Sequence, residues 1–220
     1  MIVVLEGMPG SGKTTIGELL SNKYSFGLVP QIISSCKNKI EVDNKYCQNP
    51  FFRSDELKCS LAKDLEKTHG KVVMDRNYIS TLAYNYAVND KKHHSSFALA
   101  SHWYLDKINS KLIYPTMYIY LKTPIKYCFS RKDRQLDTKS PWTDPSCLKK
   151  MSYFYENIFP LMETNIPKVI ISTDDTVENV IDKILKYVQY SIFYGWSFSS
   201  CLGGRIRISF GINRGDVKIR

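Results

Sequence analysis

Apolar residues along this chain fall into short runs separated by longer amphipathic stretches. Ile2–Leu5 is a continuous, largely β-branched run, the pattern of a strand buried on both faces. Residues 14–23 follow with helical spacing through Ile16, Leu19 and Leu20. Leu28 and Val29, closed by Pro30, predict a short second strand, and the polar mixture over 34–50 reads as a loop. A helix is expected over 54–68, with Ser54 as its N-cap, Asp55 and Glu56 in the first turn and Gly70 beyond its end. Val72–Met74 is a third strand ending at Asp75. Helical patterns then cover 79–88 and 95–110, a fourth strand 117–121, and a basic helix 124–134. A polar loop over 137–145 leads to a helix over 146–163, a fifth strand at 169–171 and a last helix over 176–192. Strands alternating with helices predict an α/β domain built on a parallel sheet.

Residues 193–220 break this pattern. They are rich in Gly, Ser and aromatics and carry Arg205, Arg207, Arg214, Lys218 and Arg220 against Asp216. We expect a domain over 1–192 and a basic C-terminal tail. Arg205–Ile212 alternates as a strand would, and the Arg-Gly-Asp triplet at 214–216 reads as coincidence.

With 220 residues, 43% hydrophobic and 24% charged, the composition excludes disordered, collagen-like and disulfide-miniprotein classes. No apolar run approaches a membrane span, and Met1–Gly7 has no basic leader region, so a cytoplasmic protein is expected. Cys36, Cys47, Cys59, Cys128, Cys147 and Cys201 show no C-x-x-C spacing, which removes the usual zinc and redox signatures. His69, His93, His94 and His102 have no metal spacing either. The net charge of +10 suits a polyanionic partner: nucleic acid, a membrane surface or a nucleotide's phosphates.

The motif that chooses among these is Gly7, Met8, Pro9, Gly10, Ser11, Gly12, Lys13, Thr14 and Thr15. It fits G-x-x-x-x-G-K-[ST] in full, after a strand and before a helix. Glycines let main-chain N–H groups turn around phosphate oxygens, and the helix starting near Lys13 points its positive end at the anion. Lys13 would reach the β- and γ-phosphates of ATP, and Thr14 would hold Mg²⁺. The sequence has no N-K-x-D motif of a G-protein, and 220 residues are few for an AAA-type motor, so a small kinase is the natural host.

A second stretch runs Asp75, Arg76, Asn77, Tyr78, Ile79, Ser80, Thr81, Leu82, Ala83, Tyr84. An acid at the C-terminal end of a parallel strand faces the ligand crevice, where Asp75 would hold Mg²⁺ and Arg76 would fork onto a substrate phosphate. Together the two motifs resemble the thymidylate kinase family, whose pattern is D-R-Y-x-x-S-x-x-A-Y-Q. Asp75, Arg76, Ser80, Ala83 and Tyr84 match, whereas Asn77 and Asn85 depart from it. Deoxynucleoside kinases have a similar E-R-S-x-x-S stretch, to which Arg76 and Ser80 correspond.

The resemblance covers about residues 1–190 and implies a P-loop NTPase fold with a five-stranded parallel sheet in the order 2-3-1-4-5. It implies that Arg76 orients the acceptor, that Ser80 and Tyr84 line the nucleoside pocket, and that Phe51, Phe52 and Arg53 supply an aromatic ring and an arginine to the base. One of the two Phe would then be core. It makes about 124–144 a lid, with Arg131 and Arg134 three apart on one helix face and aimed at the γ-phosphate. Met8, Pro9 and Ser11 leave the loop without the extra charged residue that some thymidylate kinases carry there, so the lid must supply it. Ser172, Thr173 and Asp174 stand where such kinases hold adenine, or serve as an N-cap for the last helix.

Nucleoside kinases place a carboxylate base at the end of the second strand, where this chain has Gln31. Gln accepts no proton, and a phosphate acceptor needs no base, so Gln31 leans toward a monophosphate acceptor. Glu41 and Asp43 are alternative carboxylates. The expectation is transfer of the γ-phosphate of ATP to a nucleoside monophosphate, thymidylate-like (dTMP to dTDP), with Lys13, Arg76, Arg131 and Arg134 as the catalytic cations. A hydroxyl kinase acting on a deoxynucleoside, or a nucleotide-binding protein with little catalysis, are the alternatives. The partner expected is the nucleotide substrate, without nucleic acid or membrane, and a homodimer is left open.

Overall fold

The structure, a computed structural model, describes residues 1–31, 50–89, 96–132, 141 and 144–194. Five strands form its centre: β1 (Ile2–Glu6), β2 (Gly27–Val29), β3 (Val72–Asp75), β4 (Met117–Lys122) and β5 (Lys168–Ser172). All neighbouring pairs are parallel and the order is β2-β3-β1-β4-β5, as the resemblance implies. Leu5 is in register with both Asp75 and Ile119, so the C-terminal ends of β1, β3 and β4 lie at the same end of the sheet.

Side chains alternate across the sheet, which is why apolar runs rather than alternating ones encode these strands. Val3, Leu5, Val73, Ile119 and Leu121 face one way, against α1 (Lys13–Tyr24) and α7 (Val177–Tyr194) through Ile16, Leu20, Ile181 and Ile184. Val4, Val72, Met74, Tyr118 and Tyr120 face the other way. There they meet α2 (Pro50–His69), α3 (Tyr78–Val88), α4 (Phe97–Lys107) and α6 (Pro145–Tyr153), with α5 (Ile125–Lys132) following β4.

Two expected boundaries are corrected. The helix expected over 54–68 begins at Pro50, so Ser54 is not its cap and Phe51–Arg53 form its first turn. Proline fits there because the first helical N–H has no intrahelical partner in any case. The single helix expected over 146–163 is three segments: α6, a π-helical turn Phe154–Ile158 and a 3-10 turn Phe159–Leu161. Pro160 explains the change, since it lacks the N–H and its ring crowds the preceding turn. The cap of α7 is Thr176, whose hydroxyl accepts from Asn179 N, and not Ser172–Asp174. Residues 32–49, 90–95, 133–140, 142–143 and the tail from 195, with Glu41, Asp43, Arg134, His93 and His94 among them, lie outside the described residues. No described helix is long and apolar enough to cross a membrane.

Adjacent Phe51 and Phe52 lie about 100° apart around α2. Phe52 is buried and stacks on the fully buried Trp103 with centroids 4.3 Å apart. That stack ties α2 to α4. Trp103→Ala is expected to cost about 3–5 kcal/mol in denaturant unfolding; a loss below about 1 kcal/mol would mean this side of the core is not built on the stack.

Candidate active site

The loop after β1 forms around Lys13. Its ammonium is buried and donates to Gly7 O (3.0 Å), Met8 O (2.7 Å) and Ser11 Oγ (2.8 Å). Burial, reinforced by the nearby Arg76 charge, pulls its pKa well below the ordinary lysine value. Gly7 is required at its position, because a Cβ there would lie 2.7 Å from Leu121 O on β4. Gly12 starts α1 from the left-handed region at φ 87°, with no side-chain cap on the first helical N–H groups. An uncapped N-terminus beside a buried ammonium is a phosphate site in chemical terms.

Across the loop stands the end of β3. Thr14 Oγ1 donates to Asp75 Oδ2 at 2.6 Å, while Asp75 Oδ1 is buried without a hydrogen-bond partner. A hydroxyl and a carboxylate with an unsatisfied oxygen are hard donors suited to Mg²⁺, which takes one or two protein ligands and completes its shell with water and substrate phosphate. No group of three His, Cys, Asp or Glu among the described residues could hold a metal ion.

Arg76 has φ 67°, a left-handed conformation uncommon outside glycine. Its guanidinium donates to Gly7 O and Ser80 Oγ, both at 3.0 Å, and its Nε is buried and unpaired. Arg131 of α5 donates to Gly10 O at 3.3 Å, which brings the helix after β4 to the loop. Thr15 is exposed on α1. Thr173 is bonded to Thr123 through their hydroxyls at 2.6 Å, where β4 and β5 end.

The acceptor side is corrected in one respect: Phe52 is core, and Phe51 is the Phe near solvent, 5.5 Å from the Tyr84 ring. Arg53 pairs with Glu56 at 3.5 Å and keeps a buried, unpaired Nε. Gln31 is exposed past the end of β2.

Three residues of the site were not anticipated. Glu6, fully buried, accepts from Asn77 N (3.0 Å), Ser80 Oγ (2.6 Å) and Tyr155 OH (2.8 Å). Lys58 donates to the carbonyls of Asp75 and Arg76 at 2.8 and 2.7 Å, tying α2 to the end of β3. Asp55 accepts from Thr81 at 2.6 Å. For Glu6 the available signal is an acid ending an otherwise apolar strand just before the loop. For Lys58 and Asp55 it is charge on the inward face of an amphipathic helix.

Among the described residues, three buried side-chain polar atoms have no partner, and they belong to Arg53, Asp75 and Arg76. All three residues were singled out from the sequence. Buried polar groups are normally satisfied, so each unpaired one is a candidate contact for a polar ligand.

A phosphate loop flanked by an Asp-Arg pair and a basic helix, on this strand order, defines a P-loop kinase. The family model described as deoxynucleoside kinase matches residues 3–192, and the chain belongs to that family of nucleoside and nucleotide kinases. A relative in Methanocaldococcus jannaschii described as "Probable thymidylate kinase" is 29% identical over 86% of this chain and 96% of its own length. Two solved structures share the fold. One is deoxyadenosine kinase from M. mycoides, with TM-score 0.59 and 15% identity over 86% of this chain and all of that one. The other is thymidylate kinase from Candida albicans, with TM-score 0.61 and 16% identity over 87% and 92%.

Burial pushes the Asp55 carboxyl up from 3.8 to about 6. The folded chain therefore binds the extra proton between about pH 4 and 6, and stability falls as pH rises through that window. Asp55→Asn cannot ionise. It should gain on the unsubstituted chain by up to about 3 kcal/mol between pH 4 and 7 in urea unfolding; a difference independent of pH would contradict the shift.

Proposed function

We propose that this kinase transfers the γ-phosphate of ATP to the phosphate of a nucleoside monophosphate, with dTMP to dTDP as its leading reaction. The observation that carries this reading is Arg76, held beside the loop with a buried, unpaired Nε. A fixed guanidinium there suits a phosphate dianion better than a neutral hydroxyl. The monophosphate also brings its own nucleophilic oxygen, which agrees with Gln31 rather than a carboxylate past the end of β2. The thymidylate reading is supported by the M. jannaschii relative and by the match at Asp75, Arg76, Ser80, Ala83 and Tyr84.

In this mechanism the loop and Lys13 bind the triphosphate, and Arg76 orients the acceptor phosphate in line with it. Arg131, with Arg134, covers the transferring group and neutralises the charge that builds on it. Mg²⁺ held by Thr14 and Asp75 would add charge neutralisation on the phosphates. Phe51 and Tyr84 offer the base an aromatic wall, and Ser80 holds Arg76 in place.

The second reading, transfer to the 5′-hydroxyl of a deoxynucleoside, is favoured by the family model itself. It requires a base from Glu41, Asp43 or Asp55. A panel of dTMP, other monophosphates and nucleosides separates the two by ATP consumption. Turnover should be fastest with monophosphates, and Arg76→Ala should cut kcat/KM for them about 100-fold or more, the loss of a buried charge-assisted contact. Faster turnover of nucleosides, or unchanged kinetics in the variant, would reject the reading.

A further inference from the structure

Arg76 does not hold its own conformation. A non-glycine residue at φ 67° persists only where its surroundings over-determine it. Here the last two residues of β1 do so. Arg76 N donates to Leu5 O at 3.1 Å, and Asn77 N donates to Glu6 Oε1 at 3.0 Å, so the peptide groups on both sides of the left-handed residue are tied to one strand. The guanidinium is fixed from the same point. Glu6 Oε2 takes the Ser80 hydroxyl hydrogen at 2.6 Å, and the Ser80 oxygen thereby turns its lone pairs to Arg76 at 3.0 Å. Tyr155, in the π-helical turn, donates to the same Oε2 at 2.8 Å and lies 3.1 Å from Ser80 Oγ. A turn of this kind inside a helix is often found at functional sites.

We propose that Glu6 is a positioning residue: its buried carboxylate, braced by Tyr155, sets both the backbone and the guanidinium of Arg76 for the acceptor. Glu6 touches no substrate in this account and acts through Ser80 and Asn77. The role rests on the monophosphate reading for its effect on turnover, but its structural part does not.

The test combines kinetics in two backgrounds with a signal that needs no reaction. In the unsubstituted background Glu6→Gln should lower kcat/KM for the acceptor about 10- to 100-fold, as expected for a charge-assisted network, while ATP affinity by calorimetry changes less than about twofold. In an Arg76→Ala background the same substitution should cost less than about twofold more, because coupled residues are non-additive. Tyr155→Phe removes one donor and leaves the carboxylate. It should show a smaller loss, about 3- to 10-fold, that vanishes in the same background, and it carries the test if Glu6→Gln does not fold. Equal losses in both backgrounds, or a parallel loss of ATP affinity, would overturn the proposal.

The Arg76 Nε–H resonance, assigned by its disappearance in Arg76→Ala, supplies the independent readout. It should shift or broaden in Glu6→Gln and in Tyr155→Phe. An unmoved resonance overturns the positioning role whatever the reaction proves to be. Failure of the wild-type chain on every monophosphate, with the resonance moving as expected, overturns only the functional reading.

Discussion

One buried ammonium organises the phosphate end of the molecule. Lys13 sits inside the loop with three oxygens around it, at a depth that disfavours its charge. A cation kept there is costly unless an anion compensates it. The loop geometry follows from the same requirement. Gly7 passes against the β4 backbone, and Gly12 delivers the uncapped start of α1 to the same spot. The rest of the fold serves to hold these pieces together. Register between β1, β3 and β4 brings Gly7, Asp75 and the approach to α5 to one end of the sheet.

Beside the loop the chemistry is arginine on a strained backbone. Arg76 is restrained by β1 from one side and by Lys58 of α2 from the other, since Lys58 ties down the Asp75 and Arg76 carbonyls. Helix α2 thus links Phe51, packed against the Tyr84 ring, to the end of β3. Burial raises the carboxyl of Asp55 and lowers the ammonium of Lys58.

Much of the architecture was legible because parallel strands buried on both faces must be apolar throughout. Ile2–Leu5, Val72–Met74 and 117–121 could hardly be read otherwise. The loop was legible because its spacing is local. Glu6 was not, because its partners lie 71, 74 and 149 residues away and nothing near it in sequence announces them. The sequence left one of Phe51 and Phe52 to be core without saying which. Choosing between them needed the true start of the helix at Pro50 and the position of Trp103 on a distant helix. The π-helical turn was hidden for a related reason: Pro160 announces that α6 ends, but not how the chain leaves it.

On the proposed reading, a glycine-shaped backbone loop and the Lys13 ammonium grip a triphosphate. Calorimetric titration of the chain with ATP in the presence of Mg²⁺ tests it most directly. The account predicts saturable binding at one site, weakened about tenfold or more by Lys13→Ala, the loss expected when a buried charged contact is removed. No heat of binding, or an affinity that the substitution leaves unchanged, would contradict it.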